Sequence, residues 1–159
     1  MFEFFGADNS TFLREKLLEA KEKFSFETVF SHESKVEFME KAKAQGYKVY
    51  LYFVSTENAD INVYRVKKIR VPRGGHDVPE DRIRKRYKRS LNLLFRASQS
   101  CYTCYYFDNS VDNQKHQMFV NFKINNNGEK NWKGYAYQNL ELVPNWFKIH
   151  YLKKLIKKN

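Results

Sequence analysis

Val49-Tyr-Leu-Tyr-Phe-Val54 is an unbroken apolar run without a charge. A half-buried strand would alternate apolar and polar residues. Six apolar residues in succession suit a strand covered on both faces, as in a parallel sheet with helices above and below. The flanking sequence points the same way. Upstream, Leu13, Leu17, Ala20 and Phe24 recur at helical spacing, with Asn9, Ser10 and Thr11 as capping types. Phe24, Phe26, Thr28 and Phe30 then alternate with Ser25, Glu27 and Val29, the pattern of a strand. A second helix is expected over about residues 34–45, with Val36, Met39 and Ala42 on one side and Gly46 as its stop. Downstream, residues 56–58 offer caps for a third helix reaching about Lys68, and residues 102–107 read as a strand that ends in Asp108-Asn109-Ser110. Helices and strands in this order predict an α/β fold, a parallel sheet flanked by helices, with functional loops beyond the carboxyl ends of its strands. Glu27-Thr28, Ser55-Thr56 and Asp108-Asn109 all fall at such ends, where ordinary capping and turn chemistry explains polar residues equally well.

Between these strands lies Val71-Pro-Arg-Gly-Gly-His-Asp-Val-Pro-Glu-Asp-Arg-Ile-Arg-Lys-Arg-Tyr-Lys-Arg-Ser90. Gly74 and Gly75 read as a flexible hinge, and Asp77 with Glu80 as a capping pair around Pro79. Ile83, Tyr87, Leu91 and Leu94 give one apolar stripe, while Arg82, Lys85, Arg86 and Arg89 give a cationic one. With Arg70 and Arg73 added, a loop and a helix present cations at a density that suits a ligand carrying several phosphates. The rival reading is a solvated helix face, the usual meaning of a charge run.

The last third changes character. Met118-Phe-Val-Asn-Phe-Lys-Ile124 reads as a strand, Asn125-Asn-Asn-Gly128 as a hairpin turn, and Trp132, Tyr135 and Tyr137 as the return strand. A terminal helix follows from Pro144 and Asn145, with Trp146, Ile149, Leu152 and Ile156 inward; Lys153, Lys154, Lys157 and Lys158 suit its dipole.

The chain of 159 residues is about one domain, 1–159, with a core over 11–124 and a C-terminal hairpin and helix over 125–159. Its 29 Lys and Arg exceed its 18 Asp and Glu by 11, so polyanions should be attracted to it. No apolar run is long enough to span a bilayer, and Met-Phe-Glu-Phe-Phe-Gly lacks the basic region of a signal peptide, so a cytoplasmic location and no membrane partner are expected. Cys101 and Cys104 form a lone CxxC inside a strand pattern, and the histidines are scattered singly. Buried thiols without a metal are expected.

Phe26-Glu27-Thr28, Gly46-Tyr-Lys-Val49, Gly74-Gly-His-Asp-Val-Pro79, Arg84-Lys-Arg-Tyr-Lys-Arg-Ser-Leu91 and Asp108-Asn-Ser110 occur in an order that resembles the zeta-toxin-like P-loop kinases and their bacterial ATPase-annotated relatives. The resemblance covers roughly residues 11–124. It implies transfer of a phosphoryl group from ATP, with Mg2+, to a hydroxyl on a small molecule, in zeta toxins proper a UDP-linked amino sugar. Carried over by position, Arg70, Arg73, Arg84 and Arg86 would contact phosphates and stabilise charge on the transferring group. Glu27 and Thr28 match the Phe-Glu-Thr motif on the substrate side of the cleft. Asp108 and Asn109 match a loop near the nucleotide, and His76 and Asp77 would shape the lid.

The family also opens with a strand and a GxxxxGK[ST] loop that cradles phosphates, and none of the six glycines here begins one. The chain therefore reads as such a kinase without its first strand and phosphate loop, inactive or weak alone, and with unpaired strand edges where the missing strand would lie. Truncation is the favoured explanation. A P-loop-bearing partner or an antitoxin is a possible companion, and a degenerate paralogue is the remaining option. The alternative from another class is a non-catalytic basic module. It would lay its cationic helix on nucleic acid and stack bases on Tyr102, Tyr105 and Tyr106. That partner is less favoured, because these tyrosines fall in what reads as core strand.

Overall fold

A computed structural model describes residues 7–112 and 114–156. The chain runs α1 (Ala7–Glu19), α2 (Ser34–Ala44), β1 (Tyr50–Ser55) and α3 (Ala59–Tyr64). A π turn (Arg65–Arg70) and a 3-10 turn (Val71–Arg73) extend α3. Then come α4 (Glu80–Gln99), β2 (Thr103–Asp108), β3 (Gln117–Ile124), β4 (Lys130–Lys133) and a 3-10 turn (Leu140–Leu142). The C-terminal helix is α5 (Asn145–Phe147), a π segment (Lys148–Leu152) and α6 (Lys153–Ile156). Lys157, Lys158 and the first six residues lie outside the described residues, as does the signal-peptide reading placed on them.

The architecture is α/β, as the alternation of elements implies, but the sheet is mixed. Its four strands lie in the order β1-β2-β3-β4; only β1 and β2 are parallel, and the other pairs are antiparallel. β1 and β2 pair directly from Tyr50↔Thr103 to Ser55↔Asp108, so no unpaired edge separates them. The Asn-rich turn forms as expected, with Asn125 Oδ1 accepting from the amides of Asn127 and Glu129 at 2.9 Å each.

Among the described residues one face of this sheet is covered and the other is not, which corrects the reading of residues 49–54. Phe53, Cys104, Tyr106, Phe119 and Phe122 pack into one core with Val36 and Met39 of α2, Leu91, Leu94 and Ala97 of α4, and Trp146, Phe147 and Tyr151 of the C-terminal helix. On the opposite face Tyr50, Tyr52 and Val54 remain 51%, 63% and 47% exposed. An apolar run is compatible with either arrangement, because it records the chemistry of both faces and not what lies against them.

Four further expectations change. Residues 24–30 form no strand. Phe24 and Phe26 instead pack on Phe38 of α2, with ring centroids 6.1 and 6.0 Å away, and Phe30 packs on Phe53. The aromatic alternation is therefore a docking pattern and makes no ladder. Asn9, Ser10 and Thr11 fall inside α1, and Leu18 is its fully buried residue while Leu13 is exposed. Tyr135 and Tyr137 lie beyond β4, because Gly134 ends it. A Cβ on Gly134, at φ +130°, would stand 2.5 Å from the Phe119 carbonyl oxygen, so only glycine permits this approach. In the C-terminal helix Trp146, Phe147 and Tyr151 are buried while Ile149 and Ile156 are 51% and 73% exposed. The π segment at 148–152 turns the inward face away from the 3.6-residue phase on which the expectation rested.

Candidate functional site

The carboxyl ends of the parallel strands converge, and the chain around them is closely tied. At the end of β1, Asn58 caps α3 by accepting from the amides of Asp60 and Ile61, and Asn62 Nδ2 donates to Thr56 Oγ1 at 2.9 Å. The Tyr87 hydroxyl, on the buried stripe of α4, reaches the Thr56 and Glu57 carbonyls at 2.9 and 3.1 Å. Burial, and then the charges of Glu57 and Asp108, push that phenol up to about 12, so it remains a donor across the physiological range.

At the end of β2, Asp108 Oδ1 accepts from the Trp146 indole nitrogen at 3.1 Å and from Ser110 Oγ at 2.8 Å. Ser110 Oγ in turn accepts from the Glu57 amide at 2.8 Å, and the Asn109 amide donates to the Ser55 carbonyl at 2.8 Å. Arg65 completes the lattice. Its Nη1 donates to the Asn109 carbonyl at 2.7 Å, and its Nε and Nη2 donate to Asp112 Oδ1 at 3.1 and 2.9 Å. A cavity of about 380 Å³ opens beside this lattice, with Glu57, Asp108, Ser110, Lys115, Glu141 and Lys148 in its wall.

The residues singled out from sequence separate into three groups. Asp108 and Asn109 line this cavity, yet the Asp108 carboxylate is already engaged by Trp146 and Ser110. Arg84 is held at the start of α4, its Nη2 lying 2.6 Å from both Asp60 Oδ1 and Glu80 Oε1. Those two bonds favour its charged form. Arg70, Arg73 and Arg86 are exposed and make no side-chain hydrogen bond or ion pair among the described residues. Glu27 and Thr28 are also exposed, in the irregular segment, and neither they nor these arginines line the cavity.

The glycine pair is not a hinge. Gly74 adopts φ +83°, and the amides of Gly74 and Gly75 close back on the carbonyls of Val71 and Arg70, each at 2.9 Å. A Cβ on Gly75 would meet Arg70 Cγ at 2.3 Å, so the pair caps the turn and fixes where Arg70 stands. Asp77 does not cap α4. It pairs with Lys67 at 2.5 Å, and α4 starts from Pro79 without a side-chain cap. Arg65, Glu57, Tyr87 and Trp146 were not singled out for this site. Only the Asp108-Asn109-Ser110 run, with its turn chemistry, hinted at the lattice they build.

Cys101 and Cys104 are both free and buried, as expected. The Cys104 side chain and desolvation both push the Cys101 thiol well up, which makes it a poor nucleophile.

Comparison with known proteins places little around this geometry. The chain is 36% identical over 64 residues to an uncharacterized protein of Haemophilus influenzae, a match covering 40% of this chain and 45% of that protein. No family model matches the chain, and no solved structure does.

Proposed function

We propose that the chain is the lid-bearing part of a phosphotransferase of the zeta-toxin-like kinase type, using ATP and acting on a hydroxyl of a small molecule. One observation carries the reading: the arginine-bearing turn 65–73 and the first turns of α4 meet the carboxyl ends of the parallel strands. Arg65 is tied to Asn109, Arg84 to Asp60, and Tyr87 to Thr56. Ligands of open α/β sheets bind at such ends.

In this arrangement Arg65 and Arg84 are structural anchors, and Arg70, Arg73 and Arg86 are the cations left for phosphate oxygens. Guanidinium groups suit that task because they are planar, permanently charged and bidentate. The motif order described above, from Phe26-Glu27-Thr28 to Asp108-Asn-Ser110, supports the same reading.

Magnesium at a nucleotide site is held mainly by phosphate oxygens and water with one or two carboxylates, and Glu57, Asp108 and Glu141 are the carboxylates in the cavity wall. Among the described residues no group of three His, Cys, Asp or Glu side chains is placed to hold a metal, and the Asp108 carboxylate is already bonded on Oδ1.

Calorimetry of ATP binding to the chain at moderate salt tests the proposal. Weak, saturable binding is expected, competed by inorganic tripolyphosphate and weakened tenfold or more when Arg70, Arg73 and Arg86 are replaced together by alanine. Absence of saturable binding, or unchanged binding in the triple variant, overturns it.

A further inference from the structure

Strand pairing lines up one face of the sheet that is open among the described residues except at Thr103, which is 2% exposed. Tyr50, Tyr52 and Val54 of β1 share it with Tyr105 and Phe107 of β2, Asn121 and Lys123 of β3, and Asn131 and Lys133 of β4. The Tyr52 and Tyr105 rings are stacked, 4.7 Å apart and inclined by 14°, and Tyr52 lies nearly parallel to Phe107 at 6.5 Å. Toward the other end of these strands, Tyr102 stands 5.8 Å from Tyr50 and carries two ammonium groups, Lys48 Nζ at 4.9 Å and Lys123 Nζ at 5.5 Å from its centroid. Lys123, Lys133, Asn121 and Asn131 border a shallow cavity of about 380 Å³ against Tyr102 and Tyr105. No strand residue on this face carries a carboxylate.

We propose that this open face binds single-stranded nucleic acid, with bases stacked on Tyr52, Tyr105 and Phe107 and phosphates met by Lys48, Lys123 and Lys133. The site does not depend on the phosphotransferase reading, because no lid arginine belongs to it. The exposed Tyr52 ring and the half-buried Tyr105 and Phe107 rings beside it offer aromatic surface that an unpaired base can cover, and amides beside them can meet base edges. A duplex keeps its bases stacked inside and would present phosphates alone. A second copy of this chain is the other natural occupant of an aromatic face. Three lysines and two asparagines among the rings suit such an interface poorly, since interface centres are depleted of lysine. The net charge of +11 draws a polyanion toward the chain.

Fluorescence anisotropy of a labelled oligouridine of about 12 nucleotides, within the range such surfaces cover, tests the proposal against a duplex of equal length. The single strand is expected to bind at least tenfold tighter. Tyr52→Ala and Tyr105→Ala should each weaken it by about fivefold or more, the lower bound of one stacked base. Tyr52→Phe should retain binding, Lys123→Gln should reduce the salt slope by about one, and Arg89→Gln on the outer face of α4 should leave the affinity within twofold. Circular dichroism of each variant confirms its fold. Equal affinity for duplex and single strand overturns the proposal. So does binding that survives Tyr52→Ala but is lost in Arg89→Gln, which would assign it to the helix. A dimer in sedimentation that Tyr52→Lys dissociates, with no oligouridine bound, would give the face to a second copy and overturn it as well.

Discussion

The two faces of one sheet differ in what their aromatic residues do. On the covered face Tyr106, Phe119 and Phe122 are sealed beneath the C-terminal helix, and Trp146 touches Phe53, Phe119 and Phe147 with ring centroids 5.6–5.9 Å apart. On the open face equally large rings stack on their cross-strand neighbours, and Phe107 meets His116 edge-on at 5.2 Å. Residue type is the same and position along the chain alternates, so the energetic difference comes from whether a second layer arrives. Covered rings gain both transfer free energy and dense packing; open rings gain a cross-strand contact worth a fraction of that.

Substitution at Trp146 should break the comparison most decisively. Trp146→Ala removes the centre of the covered layer and the indole donor to Asp108, so about 3–5 kcal/mol of stability should be lost by urea unfolding. Spectroscopic changes at the β1 and β2 carboxyl ends should accompany that loss. Gly134→Ala should cost about 1–3 kcal/mol by the same measurement, because the added methyl collides with the β3 backbone at Phe119 and Val120. On the open face Tyr52→Ala should cost under about 1 kcal/mol, the span of strand propensity and one cross-strand pair. A loss there as large as that of Trp146→Ala would mean that the face is covered in solution.

The smallest effect is a pH dependence. Burial, followed by the charges of Lys154 and Lys88, lowers the His150 pKa below its usual 6.5. Between that lowered value and 6.5 the unfolded chain binds more protons than the folded one, so stability rises with pH across this window. Stability should therefore fall as pH drops through 6.5, and His150→Gln should flatten that part of the urea-midpoint profile.

Much of the α4 region was legible in advance. Ile83, Leu91 and Leu94 are buried along the expected stripe, with Tyr87 half-buried, and Arg82, Arg86 and Arg89 face solvent as the cationic stripe implied. The hairpin was legible for the same reason: Asn125 and Gly128 determine their turn through bonds within five residues. Gly74 and Gly75 were misread in kind. A glycine pair signals unusual backbone geometry, and geometry alone does not separate a loose hinge from a closed cap. That distinction needed the Gly75–Arg70 contact. Aromatic alternation over residues 24–30 likewise identified packing rings but not what they pack on.

For the candidate site, Asp108 and Asn109 were found because they end a strand in turn-forming residues. Their partners Trp146 and Arg65 stand 38 and 44 positions away and left no local trace. The amino-acid sequence by itself determined the apolar stripe of α4, the hairpin turn and the cationic character of the turn 65–73 and α4, since these depend on periodicity and on contacts within a few residues. Only the tertiary structure decided which face of the sheet is covered, how the π segment turns the C-terminal helix, and which cations are anchored and which are free. Those outcomes depend on contacts between distant segments, and the same apolar or charged residue serves either outcome until its neighbour is in place.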